Sequence, residues 1–387
     1  MQISQVYEIV NGATTQVTGQ GNVVNEDLSN VVDLGNTIQN LDDWANKFLS
    51  ALVDHIGRVV FVNRPYSGSA PSVLKDGWEY GSIMEKIASR LPEAVENESW
   101  ELTDGASYDP FVYNSPEAIA KFFNKRTTFE IERSIMDRQL KSAFSSATQL
   151  NAFVSMLFNE VEKSMTIKND ALVMRTINNF IAETFYADHP GGTYSGRTGI
   201  KAVNLLYQYN QAFSQNISAA AAIHTEAFLR YASYQMGLYV DRLKKASTLF
   251  NIGGEVRFTP NDLLHVIYLS EFEKAAGVYL YDAANQFNRE ALTLPKAETV
   301  PFWQGSGTGY AFSSTSAINV TTQASHTVSA SGILAVMFDH DALGVMNENS
   351  RVTTQYNAKA EFTNYFYKRD AQYFNDQNEN FVVFYVA

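Results

Sequence analysis

The sequence predicts an α+β fold, on three observations. Residues 148–187 carry Phe153, Val154, Leu157, Phe158 and Val161 in one apolar stripe. Leu172, Val173, Ile177, Phe180, Ile181 and Phe185 make a second, and this spacing is that of amphipathic helix. The run LLHVIYL at 263–269 is continuous and apolar, as a strand buried on both faces must be. From Val352 to Phe366, Val352, Thr354, Tyr356, Ala358, Ala360, Phe362 and Phe366 alternate with Arg351, Gln355, Asn357, Lys359 and Glu361, the two-residue period of a strand.

Taken in order, residues 1–46 contain no Lys or Arg and carry Glu8, Glu26, Asp27, Asp33, Asp42 and Asp43. Little core-forming pattern precedes Leu41, so the segment reads as an extended acidic arm, or as a frayed terminus. Trp44, Phe48, Ala51 and Leu52 give one face of a short helix that Asp43 opens, and RVVFVN at 58–63 reads as a strand. Pro65, Gly68, Pro71 and Asp76-Gly77 mark turns. The stretch 79–91 reads as a strand or mixed element. A polar excursion follows through Pro92, Asp104-Gly105, Asp109-Pro110 and Ser115-Pro116, and returns through Phe122, Phe123, Thr127, Thr128, Phe129 and Ile131. Such a long out-and-back segment is usually functional or a linker. Its return limb is basic, with Lys121, Lys125, Arg126, Arg133, Arg138 and Lys141. That sign complements the acidic arm. Glu26, Asp27 and Asp33 on one copy and Lys121, Lys125, Arg126 and Arg133 on the next are therefore the candidate intersubunit contacts, which would orient assembly. A solvated strand face is the other reading of the basic limb.

The helical region 148–187 reads as one long spine or as two packed helices joined near Met165-Thr166, and His189-Pro190-Gly191-Gly192 ends it. A second long helix is expected over 218–250, stopped by Asn251-Ile252-Gly253-Gly254. Ser270 and Glu273 have the spacing of a capping box that opens a helix. Residues 300–331 are rich in Ser, Thr and Gly, as loops with short strands are, and FVVFYV at 381–386 reads as a terminal strand after a turn at 375–380.

The chain has 387 residues, enough for one large domain or two to three subdomains with real cores. Its 25 Phe and 21 Tyr favour extensive interfaces, since Tyr is enriched where proteins meet. A net charge of −12 works against tight non-specific binding to phosphate backbones. With no Cys there is no disulfide framework, thiolate nucleophile or zinc–cysteine site. The first residues have neither a basic nor an apolar segment of the kind a signal peptide needs, and no apolar run is long enough to span a bilayer.

The motif search finds no catalytic constellation. Gly305-Ser306-Gly307-Thr308-Gly309 lacks the Lys-Ser/Thr of a phosphate-binding loop and reads as a plain loop. Asp339-His340-Asp341 holds three possible metal ligands, but neighbours on a strand point to opposite faces. No GxSxG elbow occurs. Glu130 and Glu132 share a face, with Arg126 and Arg133 beside them, so ion pairing is the expected role. His265, inside an apolar run, reads as a satisfied core or interface residue. No catalytic residue, metal or cofactor is expected.

Several stretches resemble the HK97-like major capsid proteins of tailed bacteriophages, especially those infecting Gram-positive hosts. They are WANKFLSALVDHIGRVVFVNRPYSG (44–68), LKDGWEYGSIMEKI (74–87), TTFEIERSIMDRQLKSAF (127–144), LNAFVSMLFNEVEKSM (150–165), YVDRLKKASTLFNIGG (239–254), DLLHVIYLSEFEKAAGVYL (262–280) and GILAVMFDHDALGV (332–345). The likeness lies in element order and local pattern. It implies an N-terminal arm at 1–45, the start of a peripheral domain at 46–76, and a long extended β-hairpin loop at 77–140. It further implies a peripheral domain with a spine helix at 141–193, an axial domain at 194–330, and returning peripheral strands at 331–387. The implied function is structural and not enzymatic. Subunits would form hexamers and pentamers of an icosahedral shell around double-stranded DNA, assembled in the host cytoplasm with scaffolding and portal proteins and retained in the virion without a membrane. An encapsulin-like nanocompartment shell and, more remotely, an unrecognised enzyme are the rival readings.

Overall fold

Residues 147–188 fold as one continuous helix of 42 residues, without a break at Met165-Thr166, in the computed structural model. The model describes residues 3–19, 24–25, 29–30, 32–33, 47–48, 51, 70–75, 84–89, 111, 113, 115, 118–136, 139, 146–279, 297–304, 311–322 and 325–387. In chain order the elements are α1 (Ile3–Thr18), β1 (Leu74–Lys75), β2 (Met84–Ser89), β3 (Ala118–Phe123), β4 (Arg126–Met136), α2 (Ala147–Asp188), β5 (Ala202–Asn204), α3 (Leu205–Phe213), α4 (Ala219–Ala222) and α5 (Glu226–Leu243). There follow β6 (Leu264–Leu269), α6 (Ser270–Tyr279), β7 (Ala297–Val300), α7 (Phe312–Thr315), β8 (Ile318–Thr321), β9 (Thr327–Ala330), β10 (Ile333–Asp339), β11 (Leu343–Asn357), β12 (Phe362–Asn375) and β13 (Phe381–Tyr385). The mixture of helices and sheets is the α+β class that the patterns predict.

The chain divides into two units, with α2 and the last long strands contributing to both. The first unit comprises Met1–Glu79, Lys125–Thr176 and Gly344–Tyr373. Its sheet has the order β1-β11-β12-β4, and β12 pairs antiparallel with β4 from Phe362↔Met136 to Gln372↔Arg126. One face of that sheet is covered. Leu150, Val154, Leu157, Val161 and Met165 of α2 pack with Ile9, Val10 and Ala13 of α1 and with Ile135, Tyr365 and Tyr367 of the sheet. These α2 positions recur every three or four residues, the period that puts side chains on one face.

The second unit comprises Tyr80–Asn124, Ile177–Leu343 and Phe374–Ala387. Its five-stranded sheet has the order β5-β13-β10-β6-β7, in which β10 pairs antiparallel with both β13 and β6. Every residue of β10 and of β13 is buried, which explains their unbroken apolar sequences. Ile177, Phe180, Ile181 and Phe185 of α2 are buried in this unit, and Phe180 stacks on Phe381 at 4.1 Å between centroids. The hairpins β2–β3 and β8–β9 belong to it as well. The segment 331–387 thus supplies β10 and β13 to the same sheet as β6.

Several expectations need correction. Residues 3–18 are helical and not extended, because Ile9, Val10 and Ala13, with Tyr7 and Val17 beside them, make a short apolar stripe that docks on a core. The expected helix over 218–250 is two helices, with α5 starting afresh where Leu229 N–H donates to the Thr225 carbonyl. The alternation from 352 to 366 is not one strand. A turn breaks it where Asn357 Oδ1 accepts the Lys359 and Ala360 N–H groups, both at 3.2 Å, and Glu361 takes φ 48°. Ser270 starts α6 without closing a capping box, its hydroxyl donating instead to the Val300 carbonyl at 3.1 Å. The strand at 58–63, the body of the excursion and Gly305–Gly309 lie outside the described residues.

Candidate assembly surfaces

The uncovered face of the first unit's sheet is a lattice of charge pairs. Strand alternation turns Arg126, Thr128, Glu130, Glu132, Ser134 and Met136 of β4 outward. Across the sheet, Arg126 pairs with Glu348 at 3.1 Å, Lys368 with Glu130 at 2.9 Å, and Arg351 with Asp370. Thr128 Oγ1 donates to Asp370 at 2.6 Å, and Ser134 to Asn364 at 2.6 Å. Burial would raise the Asp370 carboxyl, but Arg351, Thr128 and Arg126 outweigh it and hold it below the ordinary carboxylate range. On the other face, Arg133 pairs with Glu160 of α2. Glu130 is therefore one partner of a cross-strand ion pair with Lys368.

At the root of the β2–β3 hairpin a second network converges on the turn between β12 and β13. Lys86 Nζ lies 2.9 Å from Asp376 and 2.7 Å from Glu379. Lys121 Nζ lies 2.9 Å from Asp376, and Arg257 Nε 3.2 Å from Glu379. Asp376 is 1% exposed and Glu379 8%. Burial would raise the Asp376 carboxyl, but Lys86 and Lys121 reverse that and depress it; Lys86 is raised because Glu379 and Asp376 overcome the effect of its own burial.

The candidate contact residues fall in different places. Glu26 and Asp27 lie outside the described residues, and Asp33 is exposed. Lys121, Arg126 and Arg133 are engaged by Asp376, Glu348 and Glu160 of their own chain. Lys125 accepts the Tyr373 N–H at its carbonyl, and its ammonium makes no ion pair among the described residues. Lys86, Arg257, Asp376, Glu379, Glu348 and Glu160 escaped the sequence reading. The one available signal was the run Asp376-Gln377-Asn378-Glu379-Asn380, five polar residues between apolar strands.

The remaining motifs resolve into internal contacts. Asp339 is buried and accepts from Thr259 at 2.7 Å, while His340 Nδ1 lies 3.0 Å from His265 Nε2. Among the described residues no three His, Asp or Glu side chains are grouped to hold a metal, and no helix is long and apolar enough to cross a membrane. Large apolar side chains do stand in solvent. In the second unit Phe111 is 89% and Tyr113 85% exposed, and Phe213, Tyr234 and Phe258 are each more than half exposed. Tyr and Phe are enriched where proteins meet.

A chain in the capsid structure of Staphylococcus phage Andhra superposes with a TM-score of 0.51 at 8% identity, over 81% of this chain and 83% of that one. The major capsid protein of Bacillus phage GA-1 is 24% identical over 202 residues, 48% of this chain and 38% of that protein. The chain thus spans about two fifths of the length of the curated relative it matches. Matched from residue 6 to residue 385 by the model of Phi29-like phage major capsid proteins, the chain has the HK97-like capsid fold and belongs to that family.

Proposed function

We propose that copies of this chain assemble as hexamers and pentamers into the icosahedral head of a bacteriophage, enclosing double-stranded DNA. The observation that carries this reading is the match to a major capsid family over residues 6–385. Exposed aromatics such as Phe111 and Tyr113 support it, because a subunit that tiles a shell must leave apolar surface for its neighbours. The role is structural, in the virion, after assembly in the host cytoplasm with scaffolding and portal proteins. A net charge of −12 keeps contact with packaged DNA weak and non-specific. In this reading the acidic segment with Glu26, Asp27 and Asp33 meets the basic limb of a neighbouring copy. Among the described cations of that limb, Lys125 makes no ion pair within its own chain, whereas Lys121, Arg126 and Arg133 would exchange carboxylates of their own chain for those of the neighbour.

Negative-stain electron microscopy of the purified protein tests the proposal, with the chain expressed alone and with its neighbouring reading frames. Closed shells, or rings of six and five, are expected. A monodisperse monomer in both preparations would overturn it.

A further inference from the structure

Two lysines face each other on the β2–β3 hairpin. Lys86 and Lys121 are direct register partners, and like charges placed opposite one another on neighbouring strands repel. What holds them is a single buried carboxylate: Asp376 accepts Lys86 on one oxygen and Lys121 on the other, each at 2.9 Å. Glu379 takes a second contact from Lys86 and binds Arg257.

The turn that presents these carboxylates is rigidly seated. Asp376 N–H donates to the Ala342 carbonyl at 2.6 Å, and Asn378 N–H to Asp376 Oδ1 at 3.1 Å. The Gln377 carbonyl accepts from Ile252 and Gly253 at 3.0 and 2.8 Å, and the Gln377 side chain donates to Glu183 at 2.6 Å. Among the described residues, the charged groups facing the turn are Lys86 from β2, Lys121 from β3, Arg257 from the loop before β6, and Glu183 from α2. Among its described side chains, the hairpin buries little apolar surface. Ala120 is exposed and Phe122 is 62% exposed, and Phe123 makes a ring contact with Phe374 at 5.2 Å. A two-stranded hairpin is marginal in water without such support.

We propose that Asp376 and Glu379 form an ionic clasp that seats the β2–β3 hairpin, and that opening the clasp frees the hairpin as a unit while the five-stranded sheet stays folded. The clasp makes the hairpin's placement dependent on charge. Its carboxylate side is intact near neutral pH and is lost as acid protonates Asp376, which leaves two opposed lysines without the carboxylate that bridges them.

Hydrogen exchange on the full chain at neutral pH tests it, comparing the natural protein with Asp376→Asn and Glu379→Gln. Amides bonded between β2 and β3 are expected to exchange on the order of tenfold or more faster in Asp376→Asn, with a smaller rise in Glu379→Gln. Amides of β10 and β13 are expected to keep their natural rates. Unchanged hairpin exchange in Asp376→Asn would overturn the proposal, and so would equal acceleration of hairpin and sheet. If Asp376→Asn does not fold, the Lys86→Gln/Lys121→Gln double variant, altered on the hairpin alone, decides by the same comparison.

Discussion

Gly332 sits at φ +80°, where a Cβ would collide with the Val386 carbonyl oxygen. Backbone and space both exclude a side chain there, so Gly332→Ala is expected to cost about 2–4 kcal/mol. Urea denaturation reads this directly, and a loss below about 0.5 kcal/mol, the range of surface substitutions, would refute it. Asn204 is a second such residue. It is fully buried, accepts the Tyr207 N–H at 3.1 Å to cap α3, and donates to the Ala387 carbonyl at 2.7 Å. Asn204→Ala removes the cap and strands the Ala387 carbonyl, for an expected loss of about 2–3 kcal/mol. Asn204→Asp keeps the cap acceptor but turns an anionic oxygen toward the Tyr194 and Ala387 carbonyls, so it should lose at least as much as the alanine variant in the same titration. Neither residue stood out in the sequence, because a lone Gly or Asn takes its role from what the fold brings near it.

At the scale of elements, α2 is the clearest test of the apolar pattern. Phe180 is fully buried and stacked on Phe381, whereas Ile167 on the same helix is 66% exposed. Phe180→Ala is expected to cost about 3–5 kcal/mol and Ile167→Ala less than about 0.5 kcal/mol. Similar losses at the two positions, measured by chemical denaturation, would mean that the helix buries a different face. Helices and strands with long periodic stretches were legible for this reason: Val154, Leu157 and Val161, or the unbroken 263–269 run, announce their surroundings through local spacing. The element α1 was not legible, since Asn11, Gly12, Thr14 and Thr15 are poor helix formers and tertiary packing of Ile9, Val10 and Ala13 overrides them. The turn at 358–361 was hidden because the alternation happens to continue through it. The ionic partners were hidden for a different reason. Lys121 and Asp376 are 255 residues apart, and a pairwise contact at that separation leaves no periodic trace. The basic limb was visible as a charge run, but which carboxylates satisfy it follows only from the register of β4 on β12 and from the seat of the 376–380 turn.

Across the whole molecule, the perturbed groups make folding stability fall with acid in two stages. His189 is 3% exposed, and burial holds its imidazole below the ordinary histidine value; its Nε2 lies 3.3 Å from the Tyr385 hydroxyl. A histidine depressed in the folded state binds its proton first in the unfolded chain. Stability is therefore full above about pH 6.5 and declines as pH falls below that value. Asp370 and Asp376 are depressed despite their burial, by Arg351 and by Lys86 respectively. Their contribution is present above the ordinary carboxylate value of about 4 and is lost as pH drops through their lower folded values. Urea midpoints at pH 7.5, 5.5 and 3.5 separate the stages. The natural protein is expected to lose stability at each step. His189→Gln keeps a polar partner for Tyr385 but cannot titrate, so its loss between pH 7.5 and 5.5 should be smaller while its loss between 5.5 and 3.5 persists. Asp376→Asn should show the reverse, a natural first step and a reduced second one. An upper step equally steep in His189→Gln and in the natural protein would place the first stage elsewhere, and the burial argument for His189 would fail.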